Sequence, residues 1–208
     1  MKLLILGATG AVGTEVLRLA LDHHEIHQVV APTRRSLPSH SKLINPITPF
    51  TPLDQGADYW RVDAVICALG TTIKQAGSKQ AFALVDRDLP LAIAKLTKSL
   101  GASSFALNSS LGAKRGKNFY LNTKAEVEEG IAELNFNSLT IVRPSLINAK
   151  RTPPRLGEQI GLCLAIIFQP LIPKRYRPVT PTAIAKSLLQ GVITAKPGFT
   201  IIESEQLR

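Results

Sequence analysis

Leu3-Leu4-Ile5-Leu6-Gly7-Ala8-Thr9-Gly10-Ala11-Val12-Gly13 decides the fold, because four apolar residues run through a glycine turn into the helical pattern of Glu15 to Leu21. A short apolar run closed by glycine reads as a strand buried on both faces, and the spacing after it as an amphipathic helix. Glycines at 7, 10 and 13 let the backbone turn tightly, approach a pyrophosphate and pack the new helix closely on the strand. The N–H groups that open such a helix, with its dipole, favour an anion. Gly7, Thr9, Gly10, Ala11, Val12 and Gly13 are therefore the expected phosphate loop of a dinucleotide site. The plainer alternative, an ordinary strand-to-helix turn, leaves the basic pair after the next strand unexplained.

That strand is Ile26 to Ala31, and it ends at Pro32-Thr33-Arg34-Arg35. Arginines suit a 2′-phosphate where a carboxylate would suit a free 2′-hydroxyl, so Arg34 and Arg35 point to NADP(H) rather than NAD. Residues 36–58 are rich in Pro, Ser and Thr and carry one short candidate strand near Leu43 to Ile47, with no chemical signal. Ala64 to Leu69 is another doubly buried strand, closed by Gly70-Thr71-Thr72, and Leu69, Gly70 and Thr71 are expected on the nicotinamide side. A helical segment from about Lys79 to Leu100, broken near Pro90, leads to a strand over Ser104 to Asn108, with Ser109 and Ser110 at its carboxyl end. After the basic loop Lys114-Arg115-Gly116-Lys117, Tyr120 to Lys124 opens a helix, and the i, i+4 spacing puts Tyr120 and Lys124 on one face. Ser138 to Val142 is a strand stopped by Arg143-Pro144, Pro181 to Val192 a last helix and Phe199 to Ile202 an edge strand. The alternation predicts an α/β, Rossmann-type, doubly wound and mainly parallel sheet. Residues 1–208 form a single domain on this reading, with 145–208 contributing a small substrate-side lobe.

A chain of 208 residues, 45% hydrophobic and 19% charged, suits one globular domain. Its net charge of +10 and pI near 9.9 favour an anionic partner. With only 5% aromatic residues and no interleaving of aromatic and basic side chains, nucleic acid is not the expected partner. The basic clusters Arg34-Arg35, Lys114-Arg115-Lys117 and Lys150-Arg151 instead follow strands, which gathers positive potential along one sheet edge. Cys67 and Cys163 sit in apolar surroundings without a C-x-x-C spacing, so no disulfide framework or metal site is expected and the compartment is reducing. No apolar run approaches the ~18 residues of a bilayer span and the start has no leader pattern, so the expectation is a soluble, cytoplasmic protein without stable membrane insertion. Ile160 to Phe168 is apolar almost all round, and burial in the substrate lobe is preferred over a subunit or membrane contact; a homodimer stays open.

Ser, Tyr and Lys at the carboxyl edge of a dinucleotide fold make a proton-transfer device. The phenol donates to a carbonyl that receives hydride, the ammonium supports the phenol and holds the nicotinamide ribose, and the serine hydroxyl fixes the substrate oxygen. With Gly7 to Gly13, Thr33-Arg34-Arg35, Cys67 to Thr72, Val85-Asp86-Arg87-Asp88, Ser109-Ser110, Tyr120 to Lys124 and Val142-Arg143-Pro144 in place, the chain resembles an atypical short-chain dehydrogenase/reductase. It is most similar to the family of HIV Tat-interacting oxidoreductases and their small bacterial relatives. The resemblance implies NADP(H) binding, a small carbonyl or alcohol substrate, and catalytic roles for Ser110 (in preference to Ser109), Tyr120 and Lys124. Asp86 stands where many such enzymes carry Asn, and its carboxylate either pairs with a cation or decorates a helix surface. An alternative function is a non-catalytic NADP(H)-binding regulator that acts through protein contacts.

Overall fold

The computed structural model describes residues 1–148 and 173–207. Lys150-Arg151, Cys163 and the apolar stretch Ile160 to Phe168 lie outside the described residues. In chain order the elements are β1 (Lys2–Leu6), α1 (Ala11–Asp22), β2 (Gln28–Val30), β3 (Leu43–Ile44), β4 (Ala64–Cys67), α2 (Ile73–Ala76), α3 (Lys79–Ala83), α4 (Leu89–Ser99), β5 (Ser104–Asn108), α5 (Phe119–Ala132), β6 (Ser138–Arg143), α6 (Pro181–Thr194) and β7 (Gly198–Glu203).

Alternation along β1 sends Leu3 and Ile5 to one face of the sheet and Leu4 and Leu6 to the other, and all four are fully buried. A strand with apolar side chains on both faces needs cover on both. α1 and α6 supply it on the Leu3 face through Val16, Ala20, Ile184 and Leu188; α4 and α5 supply it on the Leu4 face through Ile93, Val127 and Ile131. The seven strands are parallel throughout, in the order β3-β2-β1-β4-β5-β6-β7. The order reverses between β1 and β4, and a crevice opens outside the carboxyl ends of the strands at such a point. α6 and β7 belong to the same sheet sandwich, so the second half of the expected substrate-side lobe is part of the main body.

Two local expectations are refined. The strand near Leu43 to Ile47 is paired only at Leu43–Ile44, with an isolated bridge from Thr33 to Ile47. That bridge, with Thr48 N–H donating to Thr33 O at 2.9 Å, carries the following loop to the end of β2. The long helix before β5 breaks at Leu84–Asp88 rather than at Pro90: there the chain makes a π-type turn in which Leu89 N–H reaches back to Leu84 O. Pro90, which has no N–H to give, then sits harmlessly in the first turn of α4.

Candidate functional site

Gly7 has φ +82°, and a Cβ on it would lie 2.6 Å from Ala68 O, so glycine is required both by conformation and by the passage of the chain leaving β4. Gly10 N–H closes the turn on Gly7 O at 2.9 Å. α1 then starts without a capping side chain and without an acid in its first turn. Among the described residues the N–H groups of Ala11, Val12 and Gly13 find no acceptor, which is the electrostatic profile of an anion seat. Val12 and Gly13 are themselves buried and serve packing, whereas Thr9, Gly10 and Ala11 are exposed.

The cleft above this turn has a volume of about 850 Å³, ample for a dinucleotide-sized ligand. Its walls bring together Gly7, Thr9 and Gly10 from the first turn, Arg34 after β2, and Leu69, Gly70 and Thr71 after β4. Arg35 is exposed and off the wall, its carbonyl accepting from Thr33 Oγ1. The opposite side comes from residues that the sequence did not flag: Pro49, Phe50 and Leu53, and the apolar series Ala81, Leu84, Val85 and Leu89. A Pro-rich loop gives no periodic signal; the Thr33–Ile47 bridge, the hydrogen bonds of Thr33 with Pro46 and Thr48, and the packing of Phe50 and Leu53 on the core bring it here.

Ser110, Tyr120 and Lys124 stand beside the cleft rather than on its described wall. Asn118 caps α5 by accepting from Leu121 N–H at 3.1 Å, which sets Tyr120 in the first turn with its ring 5.5 Å from that of Phe82. One turn on, Lys124 Nζ lies 5.9 Å from the centre of the Tyr120 ring and 2.7 Å from Asp86 Oδ1. Asp86 is 2% exposed, which excludes the helix-surface reading of its charge; its other oxygen accepts from Thr71 N–H at 2.9 Å. Ser110 begins the turn after β5, and its hydroxyl has no partner among the described residues. The neighbouring Ser109 is committed: its hydroxyl donates to Glu128, whose carboxylate also takes the Arg143 guanidinium, and Arg143 reaches Glu203 at 3.2 Å. Glu128 went unnoticed in the sequence, although Tyr120, Lys124 and Glu128 form one stripe at successive i, i+4 steps. Behind the stripe, Cys67 is fully buried, and burial pushes its thiol up to about 12, which leaves it inert.

An ion-pair network braces the outer side of α5. Arg87 donates to Glu126 at 2.7 Å, and Arg115 bonds Glu126 and Glu129. The Arg87 hydrogen bond, helped by Asn122, holds the Glu126 carboxyl below its usual range. A depressed folded value means that the contribution is present above the unfolded value of about 4.5 and is lost as pH falls through the folded one. Glu126→Gln is therefore expected to cost about 1 kcal/mol at pH 7 and less as pH falls below about 4.5, read from urea midpoints across that range. A constant difference across that range would contradict it.

No family model matches the chain. It is 36% identical over 163 residues to protein HTATIP2 of Rattus norvegicus, covering 76% of this chain and 67% of that protein. It is 31% identical over 175 residues to the mitochondrial protein FMP52 of Candida albicans, covering 77% and 74%. Among solved structures it is similar to MoeE5 in complex with UDP-glucose and NAD, with a TM-score of 0.74 over 97% of this chain and 75% of that one at 13% identity, a likeness of fold. FMP52 proteins of other fungi are also named mitochondrial, and these names overturn the expected cytoplasmic location. That expectation rested on the lack of a bilayer-length apolar run, the lack of a leader pattern and the cysteine usage, none of which carries a compartment address. No helix among the described residues is long and apolar enough to cross a membrane. The glycine turn, the all-parallel sheet and the two relatives together make the chain a member of the HTATIP2 and FMP52 family of atypical short-chain dehydrogenases/reductases.

Proposed function

We propose that the protein is an NADP(H)-dependent oxidoreductase acting on a small carbonyl or alcohol. The observation that carries this reading is the continuity of one cleft from the uncapped start of α1 to Arg34 on one side and to Leu69, Gly70 and Thr71 on the other. Gly7 to Gly10 and the free N–H groups of Ala11, Val12 and Gly13 would hold the pyrophosphate, and Arg34 the 2′-phosphate. Lys124, next to Thr71 through Asp86, would take the nicotinamide ribose. A reduced nicotinamide bound at that end supplies the hydride. Tyr120 donates its phenolic proton to the substrate oxygen as that oxygen gains charge, and the unengaged Ser110 hydroxyl donates a second hydrogen bond to it.

The test is binding. Arg34→Ala is expected to weaken NADPH about tenfold, the value of one charge-assisted contact, while leaving NADH nearly unchanged. Titration of wild type and variant with both reduced cofactors at fixed salt reads this directly. Equal wild-type affinities, or equal losses for both cofactors, would remove Arg34 from 2′-phosphate recognition; binding without turnover across a broad carbonyl panel would favour the regulator.

A further inference from the structure

The π-type turn at Leu84–Asp88 buries a carboxylate at its centre, and widened turns of this kind recur at functional positions. A buried carboxylate is costly unless every oxygen is met. Here each one is, by a different element: Oδ1 accepts from Lys124 Nζ on α5 at 2.7 Å, and Oδ2 from the Thr71 N–H beyond β4 at 2.9 Å. Gly70 passes so close that a Cβ on it would sit 3.7 Å from Oδ1. The Lys124 side chain is 6% exposed, so its direction is set by this bond and by the Tyr120 ring beneath it.

We propose that Asp86 is the positioning residue of the nicotinamide-side half of the site, one carboxylate that clamps the Thr71 turn to Lys124 so that both meet the dinucleotide in a fixed relation. This rests on reading the cleft as a dinucleotide site. An ammonium carries three N–H donors, and Asp86 takes one. The two left over are aimed, on a group whose charge is already balanced, so Lys124 acts as a directed pair of donors rather than as a free cation. An Asn at position 86 could still accept from Thr71 N–H, but it would leave the buried ammonium without a counter-charge. Asp86 thus has a task that its usual replacement could share only in part.

The experiment is a double-mutant cycle on binding. Wild type, Asp86→Ala, Asp86→Asn, Lys124→Met and the double variant Asp86→Ala/Lys124→Met are titrated with NADPH, NADH and ADP, the last having adenosine and pyrophosphate but no nicotinamide ribose. Asp86→Ala is expected to weaken the tighter dinucleotide about tenfold, with ADP unchanged and no further loss in the Lys124→Met background. Asp86→Asn should fall between, with the Thr71 amide still protected from hydrogen exchange; in Asp86→Ala that amide should exchange quickly. Equal losses for ADP and dinucleotide, additive losses from the two substitutions, or no loss at all would overturn the proposal. If Asp86→Ala does not fold, Asp86→Asn carries the same comparison. If wild type binds neither dinucleotides nor ADP, the dinucleotide reading fails by itself, and exchange at Thr71 alone decides whether Asp86 is a clamp: slow exchange in Asp86→Ala refutes it.

Discussion

Tyr120→Phe is expected to leave folding and dinucleotide affinity intact while lowering kcat about 10²–10⁴-fold, the range for removing one positioned proton donor. The separation of the two effects follows from what the side chain touches. Its ring packs 5.5 Å from Phe82 and lies under Lys124 Nζ, and phenylalanine keeps both contacts. Only the hydroxyl is lost, and that group matters when charge develops on the substrate oxygen. In barrier terms the change is about 3–5 kcal/mol. The measurement is steady-state turnover on any carbonyl that the wild type reduces, paired with cofactor titration by fluorescence. Undiminished turnover would remove Tyr120 from the proton path, and a parallel loss of affinity would mean that the ring supports the site rather than reacting in it.

Gly13→Ala should be the most crowded glycine-to-alanine substitution among the described residues. A Cβ at this position would overlap Gly7 O and lie 2.6 Å from Gly7 C and 3.0 Å from Ala8 Cα. All three are backbone atoms, so no rotamer change relieves the clash and α1 must move away from β1. Overpacking of this kind costs about 3 kcal/mol, a large share of the 5–15 kcal/mol typical of a whole domain. The same displacement opens the Gly10-to-Gly7 hydrogen bond, so dinucleotide affinity should fall with stability. Gly77→Ala is the control: φ is +84° but nothing lies within 4 Å of the added carbon, and the expected cost is the left-handed strain alone, about 1 kcal/mol. Urea midpoints for the two variants separate crowding from strain, and equal costs would show that the approach of α1 to β1 does not depend on glycine.

The elements most legible in the sequence were those whose side chains have one environment. β1, β4 and β5 are apolar on both faces, so composition alone marks them, and the turn of Gly7 to Gly13 carries its own geometry in its glycine spacing. The carboxyl-edge residues could be placed because every strand is parallel and so ends on the same side. Phe50 and Leu53 were not legible, since their position depends on long-range contacts that Thr33 and the core make with a loop without period. Asp86 was visible only as an oddity: a carboxylate in a helical pattern reads as solvent-facing, and nothing local says that the turn around it widens or that a lysine 38 positions away comes to meet it. Glu128 and Arg143 were hidden for the same reason, each being charged and yet turned inward by its partner.

The chain of side chains from Ser109 through Glu128 and Arg143 to Glu203 runs from the turn after β5 through α5 and β6 to β7. An outermost strand ordinarily frays first, because it is hydrogen-bonded along one side only. Here, peeling β7 away takes Glu203 with it and leaves the guanidinium of Arg143 with one carboxylate in place of two, in a site that is largely shut off from water. The margin of the sheet is thereby wired to its interior, and the opening of its last strand draws on the same cooperative unit that holds the floor beneath Ser110.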